Sequence, residues 1–287
     1  MKRVLICPSR RDGVQHLTKD VPAAAIPMLG QSLVEYWLSC SACAGVREIL
    51  LLSDDRPEHV RAIAGNGERW GIKVSVLDES RELSPAQVLL KYDRQLELSA
   101  EEHVLTMDHF PGMPELPLFG SYKHWHDALL AWMPKAKMPD RVGVHELHPG
   151  VWTGTHCRIS PKAELRGPCW LGKNVFVGDG VVVGPDAIVE DGAFLEAGAA
   201  VAKSVVGPDT FVGQFAEIAG SFAWGDTLIH LETGSAVKVP DPFLLCALRR
   251  PKAPKTDGFI ARLSELCGRN RTEAHLLWKH FLLNKEG

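Results

Sequence analysis

Two columns of apolar residues recur every six positions through the middle of the chain. The first column is Ile159, Leu165, Leu171, Val177, Val183, Val189, Leu195 and Val201; the second is Ala163, Cys169, Val175, Val181, Ala187, Ala193, Ala199 and Val205. A period of six fits neither a 3.6-residue helix nor a simple alternating strand. It is typical of short strands separated by corners that wind into a prism, with roughly eighteen residues in each three-sided coil. The pattern therefore predicts a hexapeptide-repeat β-helix with both columns inside.

Turn-forming residues precede the second column at five coil corners. They are Asn174, Gly180, Asp186, Gly192 and Gly198, and such residues tolerate a left-handed backbone at little steric cost. The register slips by one after Val205, and the columns resume as Val206, Val212 and Ile218 and as Thr210, Ala216 and Phe222. We place the β-helix at residues 143–240.

The composition excludes several classes of protein. The 287 residues carry a net charge of −3, which provides no broad basic surface for nucleic acid. No apolar run is long enough for a transmembrane segment, and the N-terminus lacks a signal-peptide core. Seven cysteines without a framework spacing indicate reduced thiols. We therefore expect a cytoplasmic protein.

Strands and helices alternate before the repeats, with short connections. Predicted strands are Val4–Cys7, Glu48–Ser53, Val74–Leu77 and Glu102–Met107, and predicted helices are Ser32–Ala44, Glu58–Ala64, Ser84–Tyr92 and His124–Trp132. This alternation predicts a Rossmann-like, mostly parallel α/β domain. We assign it to residues 1–112, followed by a linker with a short helix at 113–142 and a C-terminal extension with two short helices at 241–287.

Three sequence motifs resemble the sugar nucleotidyltransferases, the NDP-sugar pyrophosphorylases typified by GDP-mannose pyrophosphorylase. The runs Leu17–Pro22 and Ile26–Leu33 are similar to the family's PLT-x-x-x-PK-x-LLPV-x-GKPL segment. Ala44–Ile49 resembles AGI-x-EI, and Leu105–Asp108 resembles LNGD. The resemblance implies an α/β domain on a left-handed β-helix, a setting in sugar-nucleotide or polysaccharide biosynthesis, and Mg²⁺ bound by Asp108 if nucleotidyl transfer is retained.

The glycine-rich phosphate loop of that family is altered in this chain. Where the family has G-G-x-G-T-R, this chain reads Pro8-Ser9-Arg10-Arg11-Asp12-Gly13, and Ala23 replaces the lysine that follows Pro22. The glycines let main-chain N–H groups reach the phosphates and the cations neutralise charge in the transition state. The sugar-binding half and the second metal aspartate are also missing from the short domain. These departures predict a shortened, catalytically lapsed member.

A residual anion or nucleotide site remains a possibility at the same edge of the sheet. Ser9, Arg10, Arg11, Gly13 and Lys19 could form it where open α/β sheets bind ligands. The alternative is a solvated loop left over from a lost site. Asp108 could hold a metal, or it could be a structural aspartate at a strand end.

Two other groups of residues have metal-like spacing. Cys40 and Cys43 are spaced as in zinc sites, but they lack a second pair, and we interpret them as packed small residues. His145, His148 and His156 could ligate a metal or lie on the surface.

His156 also suggests a different activity, because hexapeptide-repeat acyltransferases use a histidine base at a subunit interface. It falls at a predicted corner of the prism.

These patterns leave three functional hypotheses. The leading one is a binding, regulatory or assembly subunit that self-associates through the β-helix, with a nucleotide or sugar phosphate as possible ligand and an enzyme of polysaccharide synthesis as possible partner. The alternatives are an active NDP-sugar pyrophosphorylase and an acyltransferase using His156. Apolar stripes in the C-terminal helices, Gly258–Cys267 and Glu273–Leu283, favour a cap on the open end of the β-helix over a membrane or partner surface.

Overall fold

A computed structural model describes residues 2–96, 103–136 and 143–248. In these residues an α/β domain is followed by a stack of short parallel strands, which confirms the predicted fold class. None of the described helices combines the length and the apolar character needed to span a bilayer.

The α/β domain is built on a four-stranded parallel sheet. Its strands are β1 (Lys2–Ile6), β4 (Glu48–Ser53), β5 (Lys73–Asp78) and β6 (Val104–Thr106), arranged in the order β5-β4-β1-β6. A small antiparallel hairpin, β2 (Pro27–Met28) with β3 (Gln31–Ser32), lies between β1 and the first helix. In the sheet, Leu5 pairs with Leu51 and with Leu105. All four predicted strands are present.

Four α-helices accompany the sheet. They are α1 (Leu33–Cys43), α2 (Pro57–Ala64), α3 (Pro85–Leu96) and α4 (Tyr122–Trp132). The N-terminus of α1 carries a capping box, because the Ser32 side chain accepts from the Glu35 N–H and the Glu35 carboxylate accepts from the Ser32 N–H. The predicted N-cap is thereby confirmed. Short 3-10 turns occur at Asp12–Val14, Ala23–Ala25, Glu68–Trp70 and Met133–Lys135.

The β-helix has three faces of parallel strands, which we name after the side chains that point outward from each. The docking face contains β8 (Val151–Thr153), β11 (Cys169–Leu171), β14 (Ala187–Val189), β17 (Val205–Val206) and β20 (Ser221–Trp224). The phenylalanine face contains β9 (Arg158–Ile159), β12 (Phe176–Val177), β15 (Phe194–Leu195) and β18 (Thr210–Val212). The polar face contains β10 (Glu164–Leu165), β13 (Val182–Val183), β16 (Ala200–Ala202) and β19 (Glu217–Ala219).

The predicted columns fill the prism as far as Ala199 and Val201, and the predicted corners adopt the left-handed backbone. Val177, Val183, Leu195 and Val201 are at most 1% exposed and belong to one core cluster. All five predicted corner residues have positive φ: Asn174, Gly180, Asp186, Gly192 and Gly198. The hexapeptide periodicity therefore predicted the coil correctly.

The predicted position of the register slip was wrong by one residue. Val205 pairs with Ile188, and Phe222 pairs with Val205, so both point outward from the prism instead of filling the second column. The first deletion falls before Ser204, which takes the inner place predicted for Val205. A second residue is deleted before Ser221, which takes the inner place that Phe222 was predicted to fill. The Ser204 hydroxyl donates to the carbonyls of Ala202 and Ile218 and accepts from the Ser221 N–H, so a polar group is satisfied inside an apolar column.

The outward side chains of the docking face pack against the α/β domain. They are Trp152, Trp170, Ile188, Val205 and Phe222, and all belong to the same core cluster as Leu5, Tyr36 and Leu51. Helix α4 contributes to this seam, since Tyr122 packs on Phe222 and the His126 ring lies 2.9 Å from the Asp186 carbonyl. The segment predicted as a linker helix is thus part of the shared core.

Four strands flank the faces without continuing the coil. β7 (His145–His148), β21 (Thr227–His230) and β22 (Ala236–Lys238) extend the docking-face sheet, and β23 (Leu245–Ala247) pairs with β18, all by antiparallel pairing. The two predicted C-terminal helices, and with them the predicted cap, lie outside the described residues.

Candidate functional site: the carboxyl edge of the parallel sheet

Four chain segments leave the sheet at one edge because its strands are parallel. β1 leads into the loop Cys7–Gly13, β4 into Asp54–Arg56, β5 into Glu79–Leu83 and β6 into Met107–His109. This is the edge at which open α/β sheets bind ligands. The side chains of these four segments decide whether a phosphate fits there.

Two carboxylates hold the Arg11 guanidinium. Its Nη1 and Nη2 atoms lie 2.6 and 2.7 Å from the two Glu82 oxygens, and Nη2 lies 3.1 Å from Asp108 Oδ1. A forked pair of this kind is among the stronger polar contacts in proteins. Hydrogen bonding to Glu82 raises the pKa of Arg11. Burial alone would raise the pKa of Glu82, but the bonds from Arg11 and Ser9 outweigh it and lower that pKa.

Ser9 is also bound by acidic groups. Its main-chain N–H donates to Glu82 Oε2 at 2.9 Å, and its hydroxyl donates to Asp54 Oδ2. The edge around Arg11 thus contains three carboxylates and one guanidinium. The donors of Ser9 and Arg11 already serve the protein's own carboxylates, and the surplus of negative charge around Arg11 disfavours an anion at that point.

Gly13 has a packing role in this loop. A Cβ atom at this position would lie 2.5 Å from the Gly120 carbonyl oxygen and 2.7 Å from that of Phe119. No side chain fits so close to a backbone. The glycine at the end of the loop therefore permits contact with the segment that precedes α4.

Arg10 and Lys19 lie exposed on the loops, apart from this network. The Lys19 carbonyl, rather than its ammonium group, has a structural contact: Arg56 donates to the carbonyls of Thr18, Lys19 and Val21. Arg56 thereby links the end of β4 to the loop that follows the 3-10 turn Asp12–Val14. The five residues predicted to bind an anion are not brought together in one pocket; Ser9 and Arg11 meet, each on Glu82.

No group of three or more metal-ligating side chains occurs within residues 2–96, 103–136 and 143–248. Asp108 contacts Arg11 at the sheet edge, so its carboxylate is engaged by a cation of the protein itself. His145 and His148 are exposed, and His145 Nε2 lies 3.1 Å from the Thr153 hydroxyl. Cys40 is half-buried and Cys43 exposed, both as free thiols. Mg²⁺ prefers several oxygen ligands, and its binding by Asp108 remains a prediction.

His156 occupies a corner of the β-helix, as predicted. It is exposed and has a φ of 60°. A histidine base needs a second group that orients its ring, and among the described residues the His156 side chain makes no hydrogen bond, ion pair or ring contact. Its proposed catalytic role remains a prediction.

Glu82 and Asp54 are the residues that the sequence reasoning missed. Glu82 follows β5 in the stretch Asp78–Leu83, and Asp54 directly follows β4. Each comes just after a predicted parallel strand, so both had to emerge at the same edge as the Arg11 loop. Their position after these strands could therefore have predicted carboxylates beside the Arg11 loop.

A separate cleft opens at the seam between the α/β domain and the β-helix. It is small, with a volume of about 40 Å³, and its polar lining includes Gln31, Arg69, Lys173 and Asp191. Beside it the buried Glu190 carboxylate accepts the N–H groups of Leu29 and Gly30, at 2.6 and 2.9 Å. None of the residues predicted to bind nucleotide lines this cleft.

Comparison with known protein families matches two parts of the chain. Residues 14–139 match the Nucleotidyl transferase family model. Residues 168–203 match the model of the bacterial transferase hexapeptide, described as six repeats. The first match begins one residue after Gly13, and the second lies within the three-faced prism.

Proposed function

Because the chain joins a nucleotidyl transferase domain to a hexapeptide-repeat domain, we propose that it is a nucleotidyltransferase-like protein without nucleotidyl-transfer activity. In this proposal it acts as an assembly or regulatory subunit in sugar-nucleotide or polysaccharide biosynthesis. The resemblance of Leu17–Pro22 and Leu105–Asp108 to the sugar nucleotidyltransferases supports this setting.

The main support for the proposed lack of activity is that the Glu82 carboxylate binds both Arg11 and the Ser9 N–H. Phosphoryl transfer needs cations and N–H groups directed at the phosphate oxygens. In this chain those donors are directed at a carboxylate, and Asp54 and Asp108 add further negative charge. Removing even one preorganised donor typically costs about 10²–10³ in rate, and here two are diverted.

The loop sequence adds a second obstacle to nucleotide binding. Pro8 has no N–H group, so one main-chain donor of a phosphate cradle is missing. Gly13 packs directly against the Gly120 backbone. The loop is thus built to pack against the chain itself.

The direct test measures pyrophosphate release from nucleoside triphosphates with a panel of sugar 1-phosphates and Mg²⁺. We expect no release above the uncatalysed rate for the full chain. Asp108→Ala serves as the matched variant, since the resemblance places the metal on that residue. Turnover by the wild type that disappears in Asp108→Ala would overturn the proposal and establish an active pyrophosphorylase.

A parallel assay addresses the acyltransferase alternative. We expect no consumption of acetyl-CoA with amine or hydroxyl acceptors. Consumption that is lost in His156→Ala would instead assign the β-helix a catalytic role.

A further inference from the structure

Two phenylalanine rings lie exposed at one corner of the β-helix, where the phenylalanine face turns toward the polar face. Phe243 is 80% exposed and Phe215 is 72% exposed, and Leu244 is 49% exposed. The Phe215 ring lies across Gly198 of the preceding coil, where any side chain would collide with it. Phe243 and Leu244 join the same corner, because the Gly213 N–H donates to the Leu244 carbonyl at 2.9 Å. We call Phe215, Phe243 and Leu244 the aromatic corner.

The aromatic corner has no role in the core of the described chain. Its three residues belong to none of the hydrophobic core clusters, and the inside of the prism is already packed by Leu228, Val239 and Leu245 at its last coil. A phenylalanine presents about 200 Å² when fully exposed, so the two rings leave about 300 Å² of apolar surface in water. Patches of about this size are among the largest on typical monomers and are often interaction sites.

Carboxylates surround the aromatic corner. Asp241 lies beside one ring, because its Oδ1 atom accepts the Phe243 N–H at 2.9 Å. Glu196 lies in the turn of the preceding coil that the Phe215 ring covers, and Glu217 follows Phe215 by two residues. Within the part of the chain that the structure describes, none of these three carboxylates forms an ion pair. The corner is therefore apolar at its centre and negatively charged around it.

The charge around the rings indicates which kind of molecule fits this surface. Lys162, a basic residue of the same corner two coils earlier, is bound to Asp179 at 2.7 Å and does not neutralise the carboxylates. A second copy of this chain would bring like charges together, and an anionic lipid surface would also be repelled. A segment that carries apolar and basic side chains together matches both the rings and the carboxylates. An amphipathic helix with lysine or arginine beside its apolar stripe is such a segment.

We propose that the aromatic corner binds a basic amphipathic helix of a partner protein. The apolar side chains of the helix cover Phe215 and Phe243, and its cations pair with Glu196 and Asp241. Burial of the rings supplies most of the affinity, and the carboxylates set the orientation and speed the encounter. This surface gives the proposed assembly subunit its partner, so it rests on that function. Its failure is distinguishable from failure of the pyrophosphate test, because neither Phe243 nor Glu196 lies at the sheet edge.

Fluorescence anisotropy of a labelled leucine–lysine amphipathic peptide, titrated with the full chain, tests the surface. A leucine–glutamate peptide with the same apolar stripe is the control for charge. We expect saturable binding of the leucine–lysine peptide with a Kd of about 1–100 µM and at least about tenfold weaker binding of the leucine–glutamate peptide. Added salt should weaken the first interaction, since it screens the ion pairs.

The contribution of the rings is measured with a matched pair of variants. Phe243→Ser should weaken binding of the leucine–lysine peptide by at least about tenfold, because it removes an apolar anchor. Leu90→Ser is the control, since Leu90 lies on α3 and is 87% exposed, and it should leave the Kd unchanged.

A charge reversal separates a local contact from attraction to the net charge of the chain. Glu196→Lys should weaken binding of the leucine–lysine peptide and strengthen binding of the leucine–glutamate peptide, a gain that misfolding cannot produce. Glu115→Lys makes the same change of charge at an exposed position of the α/β domain and should alter neither Kd. Absence of saturable binding up to about 1 mM overturns the proposal. So does binding that Phe243→Ser leaves intact, or equal effects of Glu196→Lys and Glu115→Lys.

Discussion

At the scale of single residues, Glu82 decides the chemistry of the sheet edge. Its carboxylate joins the loop after β1 to the segment after β5 through Arg11 and Ser9. The same contact neutralises the guanidinium that the sequence offers as an anion site. One side chain thus orders the loop and engages two of its donors, the Ser9 N–H and the Arg11 guanidinium.

The lowered pKa of Glu82 gives a pH-dependent stability. Its pKa lies below the ordinary value of 4.5, so its contribution is present above that value and is lost as the pH falls through the folded pKa. We expect Glu82→Gln to reduce the free energy of unfolding by about 1–3 kcal/mol at pH 7. Denaturant unfolding from pH 7 to pH 3 should show this difference shrinking below about pH 4.5. A difference that is constant with pH would contradict the ion pair.

Glu190 is a second carboxylate that joins distant segments, here the β-helix and the β2–β3 hairpin of the α/β domain. It is 1% exposed, and its two oxygens accept the N–H groups of Leu29 and Gly30, whose φ values of 49° and 74° make the two-residue turn of the β2–β3 hairpin. Glu190→Ala leaves these two donors without the carboxylate, so we expect a loss of about 2–5 kcal/mol in unfolding free energy. Glu196→Ala, six residues later in the repeat, should change stability by less than about 0.5 kcal/mol. Equal effects of the two variants would contradict a stabilising role for the hydrogen bonds between Glu190 and the β2–β3 turn.

The residues of the site were only partly predictable. Ser9 and Arg11 could be placed at the sheet edge because they follow the first strand, and Asp108 because it follows the last. Their partner Glu82 lies 71 positions from Arg11, and a strand pattern does not specify which of several acidic residues turns toward the loop. The sequence therefore predicted that Ser9 and Arg11 could donate to an anion, whereas in the structure both donate to Glu82.

At the scale of elements, the corners of the β-helix follow from local backbone preference. Asn174 has a φ of 56°, a conformation that costs a β-branched residue about 1–2 kcal/mol. We expect Asn174→Val to destabilise the chain by that amount and Asn174→Gly to be neutral or slightly stabilising. Thermal and denaturant unfolding of both variants measure the difference. A valine variant as stable as the glycine variant would contradict the strained corner.

The repeat pattern predicted the coil but misplaced its slip. Ser204, a polar residue, took an inner place that the apolar column had assigned to Val205, because its hydroxyl finds two carbonyl acceptors and one N–H donor inside the prism. An apolar column alone does not detect a satisfied serine. Val205 was consequently assigned to the wrong side of its strand. Phe222 was misassigned because a second residue is deleted from the repeat before Ser221.

At the scale of the whole molecule, the α/β domain and the β-helix share one core within residues 2–248. Ile188 on the docking face is fully buried in the cluster that contains Leu5 and Leu51. The sequence could predict the two architectures separately, since each has its own periodicity. Their contact was not predictable, because an outward apolar residue on a strand does not identify the element that covers it.

The shared core predicts a common unfolding transition. We expect Ile188→Ala to lower the unfolding free energy by about 2–5 kcal/mol. The unfolding midpoint measured by circular dichroism at 222 nm, which follows the helices, should fall by the same amount as the midpoint measured by tryptophan fluorescence. Val182→Ala, an outward residue of the polar face, should cost less than about 1 kcal/mol. A helix signal that unfolds separately and ignores Ile188→Ala would show that the two parts are uncoupled.

The most direct measurement of the central claim is a titration of the full chain with a Mg²⁺–nucleoside triphosphate, followed by the unfolding free energy. A ligand at about a hundredfold excess over its Kd would add about 2.7 kcal/mol. Because Glu82 occupies the donors of Ser9 and Arg11, we expect no increase up to about millimolar nucleotide. A saturable increase in the wild type that disappears in Arg11→Ala would contradict the account.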